Sequence, residues 1–192
     1  MAQIEKLIPF IIYFETGVSD VGVSSLPALF EKARARGVAY DPDDRGGLTM
    51  AGVTLATYKE YCRKKGLGAT DAGKLRNLGY EEWRDILKTM FWDRWQADKI
   101  ECQALAHMLV DWVWTSGSYG ITIPQRALGV KADGIVGVRT LNAVNSGDAA
   151  SNFTKMKQER IAYIERICRN RLPNRKFRSG WLRRVNAILI EN

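Results

Sequence analysis

The chain of 192 residues is predicted to be all-α, or mainly α. Apolar residues recur at the three- and four-residue spacing of a helix face along most of the chain, and no strand-like alternation is comparably strong. Hydrophobic residues make up 46% and charged residues 26%, which is a globular composition and excludes disorder. At most one short β-hairpin is expected, near residues 40–53, where turn-forming residues cluster.

Three helices are predicted in the first third of the chain. Ser25 and Thr54 favour helix starts, because a hydroxyl oxygen can accept a hydrogen bond from the first turn. Gly17 favours a helix end, because glycine readily adopts the left-handed conformation found there. The predicted helices cover residues 4–15, 26–36 and 55–65.

Helical spacing returns in the rest of the chain. Asp148 is expected to cap a long helix that carries Phe153 and Ile164 on its apolar face. Residues 124–145 form a small module of two short helices, with Pro124 in the first turn of the first. Other helical stripes begin near residues 83, 105 and 181.

Several classes of protein are excluded by composition. The three cysteines form no CxxC pair and there is one histidine, so we expect reduced thiols, no metal and no other cofactor. No apolar run reaches the ~18 residues of a membrane span, so no membrane insertion is expected. The amino terminus lacks the cleavage site of a signal peptide, which predicts a cytoplasmic protein as synthesised. A monomer is expected.

The net charge of +8 is concentrated near the carboxyl terminus. Residues 166–184 contain eight basic side chains and no acidic one. This basic face is interpreted either as solvated surface or as a site that attracts a polyanion. Nucleic acid is not expected, because no motif of a known nucleic-acid reader accompanies the basic residues, whereas an anionic cell-wall polymer fits.

Glu15 lies on the apolar stripe of the first predicted helix, about three turns after Ile4. A core-facing position and the partial negative charge of a helix carboxyl end both favour a protonated carboxyl group. A carboxyl protonated near neutral pH is what a general acid needs. The alternative is that the helix ends earlier and Glu15 is a surface acid in a turn.

Residues 41–49, with the sequence DPDDRGGLT, provide a second group of candidate catalytic residues. An ionised Asp43 or Asp44 opposite a protonated Glu15 would give the two carboxyl groups that glycosidic bond cleavage uses. The hydroxyl of Thr49 would hold the attacking water. The alternative is a network of Asx turns.

Several motifs occur in the order found in one enzyme family. They are Glu15-Thr16-Gly17, the segment 40–49, Gly52-Val53-Thr54, the segment 91–95 (FWDRW) and the segment 125–141 (QRALGVKADGIVGVRTL). Together they resemble glycoside hydrolase family 108, the phage-type peptidoglycan muramidases of the lysozyme superfamily. Two positions depart from the family pattern, because Thr16 replaces a glycine and Thr115 replaces an asparagine.

The resemblance implies a lysozyme-like helical fold and a peptidoglycan hydrolase that needs no cofactor. Glu15 would be the catalytic acid, assisted by Asp43, six residues before Thr49, or by Asp44. The implied organisation is a catalytic part, 1–95, with an inserted segment near 18–39. A helical part, 96–192, would follow, include the peptidoglycan-binding-like module 124–145 and pack with the first part as one globule.

The implied partner is bacterial cell-wall peptidoglycan, reached after holin-type release or cell lysis, as in a prophage endolysin. Aromatic side chains stack on sugar rings, although Trp92 also fits a core position on an apolar helix face. Candidate substrate-binding residues are Trp92, Asp111, Trp114, Ser116 and Tyr119. Two alternatives with this fold remain open, a lytic transglycosylase and a catalytically inactive wall-binding protein.

Overall fold

The computed structural model describes residues 1–40 and 48–190, and the chain divides into two compact units. One unit comprises residues 4–90, and the other comprises residues 1–3 and 91–192. The described residues form α-helices and one small sheet, so the mainly α prediction is confirmed. Among the described residues, no helix has both the length and the apolarity needed to cross a bilayer.

The unit of residues 4–90 combines helices with a three-stranded antiparallel sheet of order β1-β2-β3. Tyr40 pairs with Leu48 and Val38 with Met50 in the antiparallel pair β1–β2. A third strand extends the single predicted hairpin, since the chain reverses again through Ala51 and Gly52, both at positive φ. The elements are α1 (Ile8–Thr16), α2 (Leu26–Arg34), β1 (Val38–Tyr40), β2 (Leu48–Met50), β3 (Val53–Thr54), α3 (Leu55–Lys65), α4 (Ala72–Arg76) and α5 (Tyr80–Leu87).

The predicted helix caps are confirmed, whereas two predicted helix bounds shift. The hydroxyl oxygens of Ser25 and Thr54 accept hydrogen bonds from backbone N–H groups of the first turn, at 3.4 and 3.0 Å. A 3₁₀ turn precedes α1, which begins only at Ile8, where Pro9 favours the first helical turn. The second helix ends at Arg34 rather than at residue 36.

The segment near 18–39 contributes to the core of its unit. Phe30, on α2, is fully buried, and its ring centroid lies 5.4 Å from that of Trp83 on α5. The indole N–H of Trp83 donates to the carbonyl of Ala51 at 3.0 Å, which ties α5 to the turn between β2 and β3. The segment is therefore part of the hydrophobic core and not a surface appendage.

The second unit contains helices and no strand among its described residues. The helix α6 packs against α7 and α9, and α9 packs against α10. Asp148 caps α9 as predicted, with its carboxylate accepting from the N–H of Ser151 at 2.8 Å. The helices are α6 (Gln103–Ser116), α7 (Tyr119–Ala127), α8 (Val138–Asn145), α9 (Ala149–Asn170) and α10 (Arg178–Ala187).

Pro124 lies inside α7 and not in the first turn of a helix, so that prediction was wrong. Proline has no N–H, and it therefore cannot donate to the carbonyl of Gly120 four residues earlier. That carbonyl accepts instead from the indole N–H of the buried Trp95, at 3.1 Å. The tryptophan provides the hydrogen bond that the proline removes, so the helix continues through residue 124.

Gly120 allows the backbones of α6 and α7 to approach closely. A Cβ atom at this position would lie 2.4 Å from the N atom of Val113 and 2.5 Å from the carbonyl carbon of Trp112. Gly120→Ala is therefore expected to destabilise the protein by about 1–3 kcal/mol, as measured by urea unfolding. Gly180→Ala, in α10 with open space around it, should leave stability unchanged or raise it. Equal effects of the two substitutions would contradict this explanation.

Candidate functional site

The carboxyl end of α1 holds Glu15, the predicted catalytic acid, in a half-buried position. Gly17 adopts the left-handed conformation at a φ of 72°, and its N–H donates to the carbonyl of Tyr13 at 2.8 Å. The hydroxyl of Thr16 donates to the carbonyl of Ile12 at 2.7 Å and accepts from the N–H of Val18 at 3.2 Å. The threonine that departs from the family pattern thus fixes the end of the helix that carries Glu15.

The second group of candidate catalytic residues is described in part. Thr49 lies on β2, half-buried, and its hydroxyl donates to the carbonyl of Ala39 at 3.4 Å. Asp43 and Asp44 lie outside the described residues. The pairing of Glu15 with an aspartate therefore stays a prediction.

A cavity of about 360 Å³ begins two residues after Glu15. Its walls are Gly17, Val18 and Ser19 after α1, and Lys32 and Arg36 from α2 and the turn that follows it. The two basic side chains both come from the segment near 18–39. This segment therefore places positive charge close to the candidate acid.

The five candidate substrate-binding residues differ in exposure. Trp92 and Asp111 have no exposed surface and bind groups of the protein itself, so their role as substrate contacts stays a prediction. The indole of Trp92 instead donates to the carboxylate of Asp98 at 2.8 Å. Trp114 and Ser116 are half-buried and Tyr119 is 56% exposed, so these three remain predictions.

Asp111 is the acceptor at the centre of a buried ionic cluster. Its Oδ2 accepts from Nη2 of Arg160 at 2.7 Å, and its Oδ1 accepts from Nη2 of Arg184 at 2.8 Å. Burial by itself raises the pKa of Asp111, but the charges of Arg184 and Arg160 and the hydrogen bonds from Arg184 outweigh it and lower the pKa to about 2. The carboxylate therefore remains ionised and joins α6, α9 and α10.

The cluster changes the interpretation of the basic face. Arg184, counted with the basic face in the sequence, is 7% exposed and binds Asp111. Arg178 pairs with Glu165. A sequence signal for the cluster exists at Arg160, which lies on the apolar stripe of α9 between Met156 and Tyr163.

His107, one helical turn before Asp111 on α6, makes the fold sensitive to acid. Burial lowers its pKa from 6.5 to about 4, so the fold favours the neutral ring. Because the pKa is lower in the folded state, stability is complete above pH 6.5 and falls as the pH drops from 6.5 towards 4, by up to about 3 kcal/mol. His107→Gln should flatten the dependence of unfolding free energy on pH across this range. Parallel pH profiles for the two proteins would contradict the assignment.

Metal ligands are not clustered in the described part of the chain. Across residues 1–40 and 48–190, no group of three or more His, Cys, Asp or Glu side chains is placed to hold a metal ion. All three cysteines are free thiols.

Comparisons with known proteins agree with the resemblance seen in the sequence. The family described as "Glycosyl hydrolase 108" matches residues 34–117, and the family described as "Predicted Peptidoglycan domain" matches residues 119–186. A solved structure titled "Structure of Brucella abortus SagA" is similar, with a TM-score of 0.67 and 25% identity, covering 83% of this chain and 90% of that chain. The comparison with curated proteins gives no match.

The first family match begins after the segment that carries Glu15, so the role of Glu15 rests on the sequence motifs and on its position in the fold. The two matches together support a glycoside hydrolase that acts on peptidoglycan. Residues 34–117 are thus similar to glycosyl hydrolase 108 and residues 119–186 to the predicted peptidoglycan domain, in the order that the sequence resemblance implied.

Proposed function

We propose that the protein is an N-acetylmuramidase that cleaves the glycan strand of peptidoglycan, with Glu15 as the general acid. The carboxyl group of Glu15 gives its proton to the glycosidic oxygen as that bond breaks and positive charge develops on the sugar ring. A water molecule then adds to the sugar, and its proton passes to a carboxylate. The products are two shorter glycan strands, one with a new reducing end.

The observation that carries this proposal is the position of Glu15. It is the penultimate residue of α1, it is half-buried, and the backbone that follows it is held by two hydrogen bonds and by the left-handed Gly17. A general acid needs a fixed position at the reacting oxygen, because proton transfer is efficient only within hydrogen-bond reach. A carboxyl group at a fixed helix end meets that need.

The remaining catalytic roles follow from the chemistry. Asp43 or Asp44 would act on the water or stabilise the charged sugar, and the hydroxyl of Thr49 would orient that water. A separation of about 6.5–9.5 Å between the two carboxyl groups leaves room for the water and inverts the product, whereas about 5 Å permits a retaining route. Lys32 and Arg36 would attract the carboxylates of the wall peptides close to the reacting sugars.

Identification of the products tests this function. Purified peptidoglycan is digested with the wild type and with Asp43→Asn and Asp44→Asn, and the fragments are analysed by mass spectrometry. Muramidase activity predicts new reducing ends at muramic acid, and one of the two variants should lose about 10²- to 10⁴-fold in rate. Anhydro-sugar products, formed without added water, would show a lytic transglycosylase. The absence of fragments under all conditions would leave the wall-binding alternative.

A further inference from the structure

A cavity of about 160 Å³ lies between α6, α9 and α10, in the unit that comprises residues 1–3 and 91–192. Because a water molecule takes about 30 Å³, the cavity can hold a carboxylate together with a small apolar group. Thr115, one of the residues that line it, is exposed. The residues around it are Trp112, Thr115, Ser116, Arg160, Tyr163, Ile164, Ile167, Trp181 and Arg184.

The polar groups around the cavity include several hydrogen-bond donors. Arg160 and Arg184 each contribute a guanidinium group, and Ser116 contributes a hydroxyl. The hydroxyl of Thr115 already donates to the carbonyls of Asp111 and Trp112, at 3.1 and 3.3 Å, and is not counted among these donors. No acidic side chain within residues 1–40 and 48–190 lines the cavity, since Asp111 lies behind the guanidinium groups that it binds. Guanidinium groups bind carboxylates through paired, charge-assisted hydrogen bonds.

The donors are held in place before any ligand arrives. Nη2 of Arg160 lies 2.7 Å from the carboxylate of Asp111 and 3.2 Å from the hydroxyl of Thr115, and Arg160 is 3% exposed. The ion pair with Asp111 therefore fixes the rotamer of Arg160. A preformed cationic site binds an anion without the entropic cost of ordering a long side chain.

Trp112 supplies an independent observation that points to a ligand. Its side chain has no exposed surface, it lines the cavity, and its indole N–H has no hydrogen-bond partner among the described residues. Buried polar groups are nearly always hydrogen-bonded, because an unpaired one loses its bonds to water without replacing them. An acceptor atom in the cavity would satisfy this donor.

Apart from Tyr163, the remaining walls are apolar. Ile164 and Ile167 on α9 and the ring of Trp181 on α10 leave space for a short aliphatic side chain. A ligand that satisfies both the donors and these walls is a terminal carboxylate next to a small apolar side chain. A sugar ring, which is neutral and carries many hydroxyls, matches the cavity less well.

We propose that this cavity binds the carboxyl terminus of a peptidoglycan stem peptide, through a carboxylate and the small apolar side chain beside it. The choice of a wall peptide rests on the proposed function, whereas the preference for a carboxylate rests on the cavity. The protein would thus hold the peptide part of its substrate with residues other than those proposed to cleave the glycan.

Calorimetric titration tests the inference without any need for turnover. The full-length Glu15→Gln protein is titrated with an acetylated stem peptide that ends in D-alanine, and with the same peptide carrying a terminal amide. We expect the acid to bind at least about tenfold more tightly than the amide, because a charged pair contributes about 1.5–3 kcal/mol. Equal binding of the two peptides, or binding of neither, would overturn the inference.

Two variants locate the binding site. Ile167→Phe fills the cavity from α9 and should weaken peptide binding at least about tenfold. Trp112→Phe removes the indole N–H together with part of the buried ring, and it should weaken peptide binding about two- to tenfold. Ile161→Phe, also on α9 but outside the cavity, is the matched control and should bind as Glu15→Gln alone does. Unchanged binding by both cavity variants, with thermal melts showing that they fold, would also overturn the inference.

Two further ligands separate the wall peptide from other carboxylates. Free D-alanine that binds more tightly than the peptide would overturn the assignment to a stem peptide. Glycan strands stripped of peptides should bind equally well to Ile167→Phe and to its control. If Ile167→Phe alone lost glycan binding, the assignment to a stem peptide would also be overturned. Digestion by the wild type is measured in parallel, so a failure of the hydrolase proposal is seen separately from a failure of peptide binding.

Discussion

Glu15→Gln is expected to reduce the rate of peptidoglycan digestion by about 10²- to 10⁴-fold. Glutamine has nearly the same size as glutamic acid but has no carboxyl proton to give to the glycosidic oxygen. Because the hydrogen bonds that fix the end of α1 come from Thr16 and Gly17, the substitution should leave the fold intact. The release of reducing ends from purified peptidoglycan measures the rate, and circular dichroism checks the fold.

Glu31→Gln is the matched control for this substitution. Glu31 is exposed on α2 in the same unit, where it pairs at 3.6 Å with Arg34. It should digest peptidoglycan at the wild-type rate, because removing a surface carboxyl group changes neither the fold nor the proposed acid. If Glu15→Gln also kept the wild-type rate, the catalytic acid would lie elsewhere and the proposed mechanism would be wrong.

Asp111→Asn is expected to destabilise the protein by about 3–5 kcal/mol, the usual cost of removing one partner from a buried ion pair. Asparagine is nearly isosteric, so the loss comes from charge: Arg160 and Arg184 would face a neutral amide within the core. Urea unfolding at neutral pH measures the change. Because the pKa of Asp111 is lowered to about 2, the difference from the wild type should shrink only when the pH falls below about 4.

Glu60→Gln serves as the comparison for a surface ion pair. Glu60 accepts two hydrogen bonds from Arg63 one turn later on α3, and the side chain of Arg63 is 72% exposed. Exposed pairs contribute little to stability, so this variant should unfold at nearly the wild-type urea concentration. Equal destabilisation by the two substitutions would mean that Asp111 is not held as an ion in the core.

The features predicted most reliably from the sequence are local ones. Ser25, Thr54 and Asp148 were identified as caps because a cap involves only residues two or three positions apart. Pro124 was misplaced because its helix continues only with help from Trp95, which is 29 positions away and invisible to local rules. The third strand was missed because it has only two residues, too few for an alternating pattern.

The same distinction between local and long-range features applies to the candidate site. Glu15 could be singled out because a carboxyl group on an apolar stripe breaks a local pattern, whereas the position of the segment 41–47 relative to it is not set by any local rule. The ionic cluster was missed because Arg160 and Arg184 lie 49 and 73 positions from Asp111. In a sequence, Arg184 looks like its exposed neighbours, and only the packing of α10 shows otherwise.

The buried ionic cluster of Asp111, Arg160 and Arg184 has members in both of the segments that match a family. Asp111 lies in the match that ends at residue 117, and Arg160 and Arg184 lie in the match that begins at residue 119. A chimera joined at that junction would therefore separate the buried carboxylate of Asp111 from the two arginines that bind it. Exchange of the segment after residue 117 will therefore succeed only when the new segment also supplies both guanidinium groups. A cut near residue 90, at the boundary between the two compact units, keeps all three residues on the same side.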